Sequence, residues 1–137
     1  MEKNMLDSAL HQQIKTLCQS AYAQFDQQQY QSALQQFFQA WRLIPKPQNL
    51  YQESGWVLTA IGDTYIAKEE YNSAAEALRS AICCHLATDN PIIHLMLAQC
   101  YFELDQQPQA KEHISNAIKS GGSKILNQLP RQYHGYL

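Results

Sequence analysis

From Trp56 to Ala81 the chain reads WVLTAIGDTYIAKEEYNSAAEALRSA, with apolar residues at helical spacing in two bursts. Leu58, Ile61 and Tyr65 form the first, Ala74, Leu78 and Ala81 the second, and the polar break Lys68-Glu69-Glu70 parts them. Two apolar stripes of period near 3.6 joined by a short polar turn predict a helical hairpin. Gly62 on the first helix and Ala74 on the second lack the bulk to hold two axes apart, and Tyr65 and Tyr71 fill the space beside them. A glycine inside a helix costs roughly 1 kcal/mol relative to alanine, so close approach explains Gly62 better than propensity does.

The same order recurs on both sides. A helix is predicted from Asp7-Ser8, either of which can cap it, to Phe25, followed by a break at Asp26–Gln29 and a second helix over Tyr30–Ile44. That second helix carries Ala33, Phe37 and Ala40, and Pro45 stops it. Its partner fits less well: Leu17 and Ala21 take the large and small slots, Ser20 sits in an apolar one, and Phe25 comes one residue late. Pro45 to Asn49 forms a stiff connector, since each proline restricts itself and its predecessor. After a second connector, Leu86 to Asn90, the Asn90-Pro91 pair signals a helix start. A third hairpin then carries His94, Leu97-Ala98 and Tyr101, a turn at Asp105–Gln107, and Ala110, Ile114 and Ala117, closed by Gly121-Gly122. The equivalent alanines Ala33, Ala74 and Ala110 lie 41 and 36 residues apart. A short helix near Ser123–Asn127 and the segment Pro130–Leu137 are expected to cover the last hairpin, with Tyr133, Tyr136 and Leu137 folding back onto it.

The series Leu58, Ile61-Gly62, Tyr65, Ala74, Leu78, Ala81 resembles the tetratricopeptide repeat, a helix-turn-helix unit of about 34 residues. It departs at the first slot, where that family often has tryptophan; here Leu58 holds it and Trp56 lies on a different face. The resemblance implies an all-α fold, a single domain over 1–137 in which three hairpins form a short right-handed solenoid. The repeats would span about 9–45, 53–86 and 90–120, with a cap over 123–137. It also implies that the first helix of each hairpin lines a concave groove. Its groove positions fall on Cys18, Tyr22 and Phe25, then Trp56, Thr59, Asp63 and Ile66, then Ile92, Leu95, Gln99 and Phe102. Aromatic anchors among a few polar groups suit a protein partner, with Trp56 and Phe102 as anchors and Asp63 and Gln99 as orienting groups. Some members grip a terminal carboxylate with lysine, arginine and asparagine at these places; that clamp is missing here, and Asp63 would repel an acidic peptide.

Composition narrows the partner further. The net charge of −2 over 137 residues gives no electrostatic footprint for nucleic acid or an anionic membrane. No cationic leader followed by an apolar run opens the chain and no stretch of 18 apolar residues interrupts it, so a cytoplasmic location is expected. Cys18, Cys83, Cys84 and Cys100 lack the spacing of a disulfide framework and are expected as reduced, buried thiols. Cys83-Cys84-His85 is a poor metal motif, because adjacent helical residues point about 100° apart. His94 is expected in the core, bonded to a carbonyl, and His113 in solvent. With no phosphate loop, nucleophile turn or convergent cysteine, histidine and acid set, neither catalysis nor a cofactor is expected.

From Ala40 onward the runs AWRLIPKP, SGWVLTAIGDTY and NPIIHLMLAQCYFEL, with the Gly121-Gly122 ending and tyrosine-rich tail, are similar to a group of small bacterial repeat proteins. Members of that group look like immunity proteins that accompany polymorphic or contact-dependent toxins, which implies a cognate toxin domain as partner. Type III secretion chaperones are also compact three-repeat proteins and offer a second reading. A scaffold that dimerises through Trp56 or the tail is a third.

Overall fold

The computed structural model describes residues 5–137. The first four residues, part of the expected domain and of the leader reading, lie outside the described residues. Six α-helices run in order among the described residues: α1 (Ser8–Asp26), α2 (Tyr30–Leu43), α3 (Gln52–Ala67), α4 (Tyr71–Ile82), α5 (Pro91–Glu103) and α6 (Gln107–Gly121). They pair as three hairpins, α1 with α2, α3 with α4 and α5 with α6, giving the all-α, tetratricopeptide-like helical repeat fold expected from the pattern. Short 3₁₀ segments follow at Gln48–Leu50, Ser123–Gln128 and Arg131–Tyr136.

One device closes every hairpin. Gln28, Glu69 and Asp105 have left-handed backbones, with φ of 63°, 59° and 60°. The amide of the next residue reaches back to the carbonyl five positions earlier: Gln29 to Gln24 at 2.9 Å, Glu70 to Tyr65 at 2.9 Å and Gln106 to Tyr101 at 2.8 Å. This is the Schellman closure, which satisfies carbonyls that a helix end leaves free. The three left-handed residues lie 41 and 36 residues apart, the register of the equivalent alanines. A side chain in that backbone region is strained, so Glu69→Gly is expected to raise the urea midpoint, adding up to about 1 kcal/mol.

Between hairpins, α2 packs on α3 and α4 on α5. The first helices α1, α3 and α5 also touch one another in sequence, more closely than the second helices do. An inner row tighter than the outer one curves the stack toward the α1–α3–α5 side. Phe37, Ile61, Leu78 and Leu97 are fully enclosed between the rows. Gly62 meets α4 not at Ala74, as its small size suggests, but at Leu78: a β-carbon there would lie 2.6 Å and 2.7 Å from two Leu78 carbons. Leucine on one helix fills the hollow that glycine leaves on the other.

The connectors are tied to the helices and to each other. Lys46-Pro47 is cis, Ser54 Oγ donates to the Gln48 carbonyl at 2.6 Å, and the His85 amide donates to the Asn49 carbonyl at 2.9 Å, joining the two connectors. Asn90 caps α5 as expected, its Oδ1 accepting from the Ile92 and Ile93 amides at 2.9 and 3.3 Å. Asp7, in contrast, makes no side-chain cap, correcting that expectation for α1. Gly122 ends α6 with φ of 75°. Beyond it the expected short helix is a 3₁₀ segment of six residues, because the stretch between the glycine break and Pro130 is too short to sustain an α-helix. Tyr133 folds back and is buried, as is Leu129 four positions before it, but Leu137 is exposed, against expectation.

Candidate functional site

The inner row sorts the groove positions into open and covered ones. At the α1–α3 end, Tyr22 and Trp56 are exposed, Trp56 by 48%. Cys18, Phe25, Thr59, Asp63 and Ile66 are half-buried around them. Tyr22 stands edge-on to Phe25 and Phe37, with ring centres 6.1 and 5.0 Å away, so a half-open aromatic cluster marks the inner face of α1. Burial, then the Asp63 carboxylate and then Cys18 push the Tyr22 phenol up to about 12. Burial also raises the Asp63 carboxyl. The Thr59 hydroxyl is engaged by its own helix, donating to the Gly55 carbonyl at 2.6 Å. On α5, Ile92 occupies the place equivalent to Trp56 and is exposed too.

The rest of α5 is covered. Leu95 is only 3% exposed and Phe102 only 6%, which corrects their placement among open partner contacts. The cause for Phe102 is the tail: Tyr136 and Tyr133 stack on its ring at 4.6 and 6.0 Å. Tyr133 also donates its hydroxyl to Glu103 Oε2 at 2.5 Å, and the half-buried Gln99 approaches the same phenol. Gln99 and Phe102 therefore hold the chain's own C-terminal segment. Trp56 and Phe102, paired as anchors in the sequence reading, are respectively open and occupied.

Behind this face lies a histidine pair. His94 is buried and donates through Nε2 to the Thr88 carbonyl at 3.2 Å, as expected of a core histidine. His113 is not in solvent as the sequence suggested: it is half-buried, stacked between His94 and Tyr101, with its Nδ1 2.9 Å from Nδ1 of His94. With Nε2–H of His94 on the carbonyl, the neutral pair is joined by Nδ1–H of His113 donating to His94. Two imidazolium ions would set N–H against N–H. Burial and then His94 lower the His113 pKa from 6.5, with Glu112 opposing. A folded-state pKa below the unfolded one contributes stability that is complete above pH 6.5 and is lost as pH falls below it. The melting temperature is therefore expected to drop more steeply below pH 6.5 in the natural chain than in His113→Gln, which keeps a donor but does not titrate; equal slopes would refute the assignment.

All four cysteines are free. Cys84 and Cys100 are buried and burial pushes their thiols up to about 11 and 12, so both are inert; Cys18 is half-buried and Cys83 exposed, which corrects the expectation of four buried thiols. No group of three or more histidine, cysteine or acidic side chains converges on a metal-sized site among the described residues. None of the described helices is long and apolar enough to cross a membrane.

The outer row holds clefts that the sequence reading passed over. Where α2 and α4 splay apart, α3 forms the floor of a cleft of about 310 Å³ that Phe38, Trp41 and Tyr65 line. Neighbouring clefts of about 570 and 470 Å³ share Phe38 or Trp41 with it. Their signal in the sequence is the pair Phe38 and Trp41, three apart and off the Ala33–Phe37–Ala40 stripe. Also missed was the contact between His11 Nδ1 and Glu53 Oε2, two residues with no place in the apolar pattern.

A family model described as a tetratricopeptide repeat matches residues 57–82, most of α3 and all of α4. A search of curated proteins finds no match.

Proposed function

We propose that this chain is a non-catalytic module that binds another protein on the inner face of its helix stack. The repeat at residues 57–82 supports a protein-interaction role, and the observation that carries the inner face is the tail itself: Tyr133 and Tyr136 already sit on Phe102 of the inner row. The remaining open positions, Tyr22, Phe25, Trp56, Thr59, Asp63 and Ile66, then receive the partner, with Trp56 as its principal anchor. Gln99 and Phe102 contribute by holding the tail that borders this surface, or join it when the tail is displaced, whereas Leu95 is buried.

The narrower reading is an immunity protein that blocks a cognate toxin domain in the cytoplasm, supported by the likeness of the AWRLIPKP, SGWVLTAIGDTY and NPIIHLMLAQCYFEL runs to that group. Co-expression with the neighbouring gene product tests it. That product is expected to copurify and to kill cells lacking this chain, and the reading fails if it does neither. Trp56→Ala is expected to weaken the complex by at least about 2 kcal/mol while leaving the melting temperature within about 2 °C, as a partly exposed anchor should. The tail, a run of short 3₁₀ segments with Tyr133 and Tyr136 seated on Phe102 of α5, favours a second reading, a secretion chaperone that holds an extended stretch of its client. Protease resistance of the partner's bound region separates the two, since a folded toxin domain resists throughout and an extended client is protected only where it is held.

A further inference from the structure

Glu53 lies in the first turn of α3 and is only 4% exposed. Its Oε2 meets His11 Nδ1 of α1 at 2.6 Å, while its Oε1 is buried without a hydrogen-bond partner among the described residues. Both residues line a cavity of about 230 Å³ with Met5, Leu6, Ser8 and Gln52, and no lysine or arginine is among those lining residues. A buried carboxylate oxygen left without a donor is costly, so the arrangement calls for an N–H donor from outside the described residues. His11 adds a second feature. Its ring lies 5.7 Å from Trp56, edge-on, and Trp56 follows Glu53 by three residues on the same helix, so the exposed indole rises beside the carboxylate. Trp56 is not one of the cavity-lining residues, but an exposed indole within a turn of a buried carboxylate favours a cation that is also a hydrogen-bond donor.

We infer that Glu53, His11 and Trp56 form a pocket for a basic side chain, an arginine or lysine that the partner inserts at the α1–α3 end of the inner face. His11 fixes one carboxylate oxygen, the other accepts from the guanidinium or ammonium group, and Trp56 covers the cation from the solvent side. The inference rests on the reading that this face binds protein and adds to it the charge of one anchoring residue. It complements the absent carboxylate clamp: the groove is built to receive positive charge, not negative.

The test uses the intact chain and a free probe. Nα-acetyl-arginine amide is titrated while heteronuclear NMR follows the indole N–H of Trp56, with the Trp41 indole as internal control. A saturable shift at Trp56 and none at Trp41 is expected, with the uncharged citrulline analogue at least about tenfold weaker, the factor that a charge-assisted hydrogen bond is worth. Glu53→Gln is expected to lose the preference for arginine over citrulline. Should that variant fold poorly, Trp56→Ala supplies the second check, with arginine binding followed at the His11 ring and weakened several-fold. No saturable shift, equal response to both probes, or unchanged arginine preference in both variants would overturn the pocket. Because no protein partner enters this experiment, its failure removes only the basic-side-chain pocket, whereas failed copurification removes the partner assignment.

Discussion

Gly62→Val lowers the stability of the chain by about 3 kcal/mol, an expected loss at the upper end of what overpacking a core costs. The added β-carbon falls 2.6 Å from a carbon of Leu78, which is itself fully buried and has no free volume to move into. Valine also brings two methyl groups and a stiff χ1 into a helix interior, so the small gain in helix propensity over glycine does not offset the clash. Urea denaturation gives the loss directly. The companion experiment is Leu78→Ala, which empties the hollow and costs about 2–5 kcal/mol alone. In the double variant valine occupies part of the space leucine vacates, and the two losses are expected to fall short of their sum by more than about 1 kcal/mol. Additive losses would mean that the two residues do not share one hollow.

The second large effect is at the tail. Tyr133→Ala is expected to cost about 3 kcal/mol, as loss of a buried aromatic does, and to uncover Phe102, which an apolar-surface dye reports as increased fluorescence. Tyr133 is 3% exposed and covers one side of the Phe102 ring, so the substitution removes a packed ring and exposes its neighbour together. Tyr133→Phe keeps the stack and loses only the hydroxyl on Glu103, for which about 1.5 kcal/mol is expected. A similar loss in both variants would show that the hydrogen bond, not the ring, secures the tail. Burial and the Glu103 contact hold the Tyr133 phenol above its usual 10. A phenol with a raised folded-state pKa contributes stability that is lost as pH rises past 10, so the natural chain should weaken in alkali more than Tyr133→Phe does.

Binding links the two experiments. Gly62 lies under the inner face and its substitution should reduce partner binding only through folding. Tyr133→Ala instead frees Phe102 and Gln99 for a partner, so a complex that requires tail displacement should form more tightly with this variant in proportion to the folded fraction.

What could be read from residues alone was what near neighbours along the chain control. Helix spacing, the Asn90-Pro91 start, the Gly121-Gly122 stop and the 41- and 36-residue register of Ala33, Ala74 and Ala110 all depend on contacts within a few turns, and all are present in the fold. The open status of Trp56 and the closed status of Phe102 had no such local origin: both sit at matching faces of first helices, and only the tail, about 30 residues beyond Phe102, separates them. Glu53 and His11 are 42 residues apart and His94 and His113 are 19 apart, distances at which sequence spacing carries no geometry. The chain's local chemistry thus determined three hairpins and their order. Tertiary packing decided which surfaces stay uncovered and where a charge is left waiting for a partner, because those depend on which elements meet after each has formed.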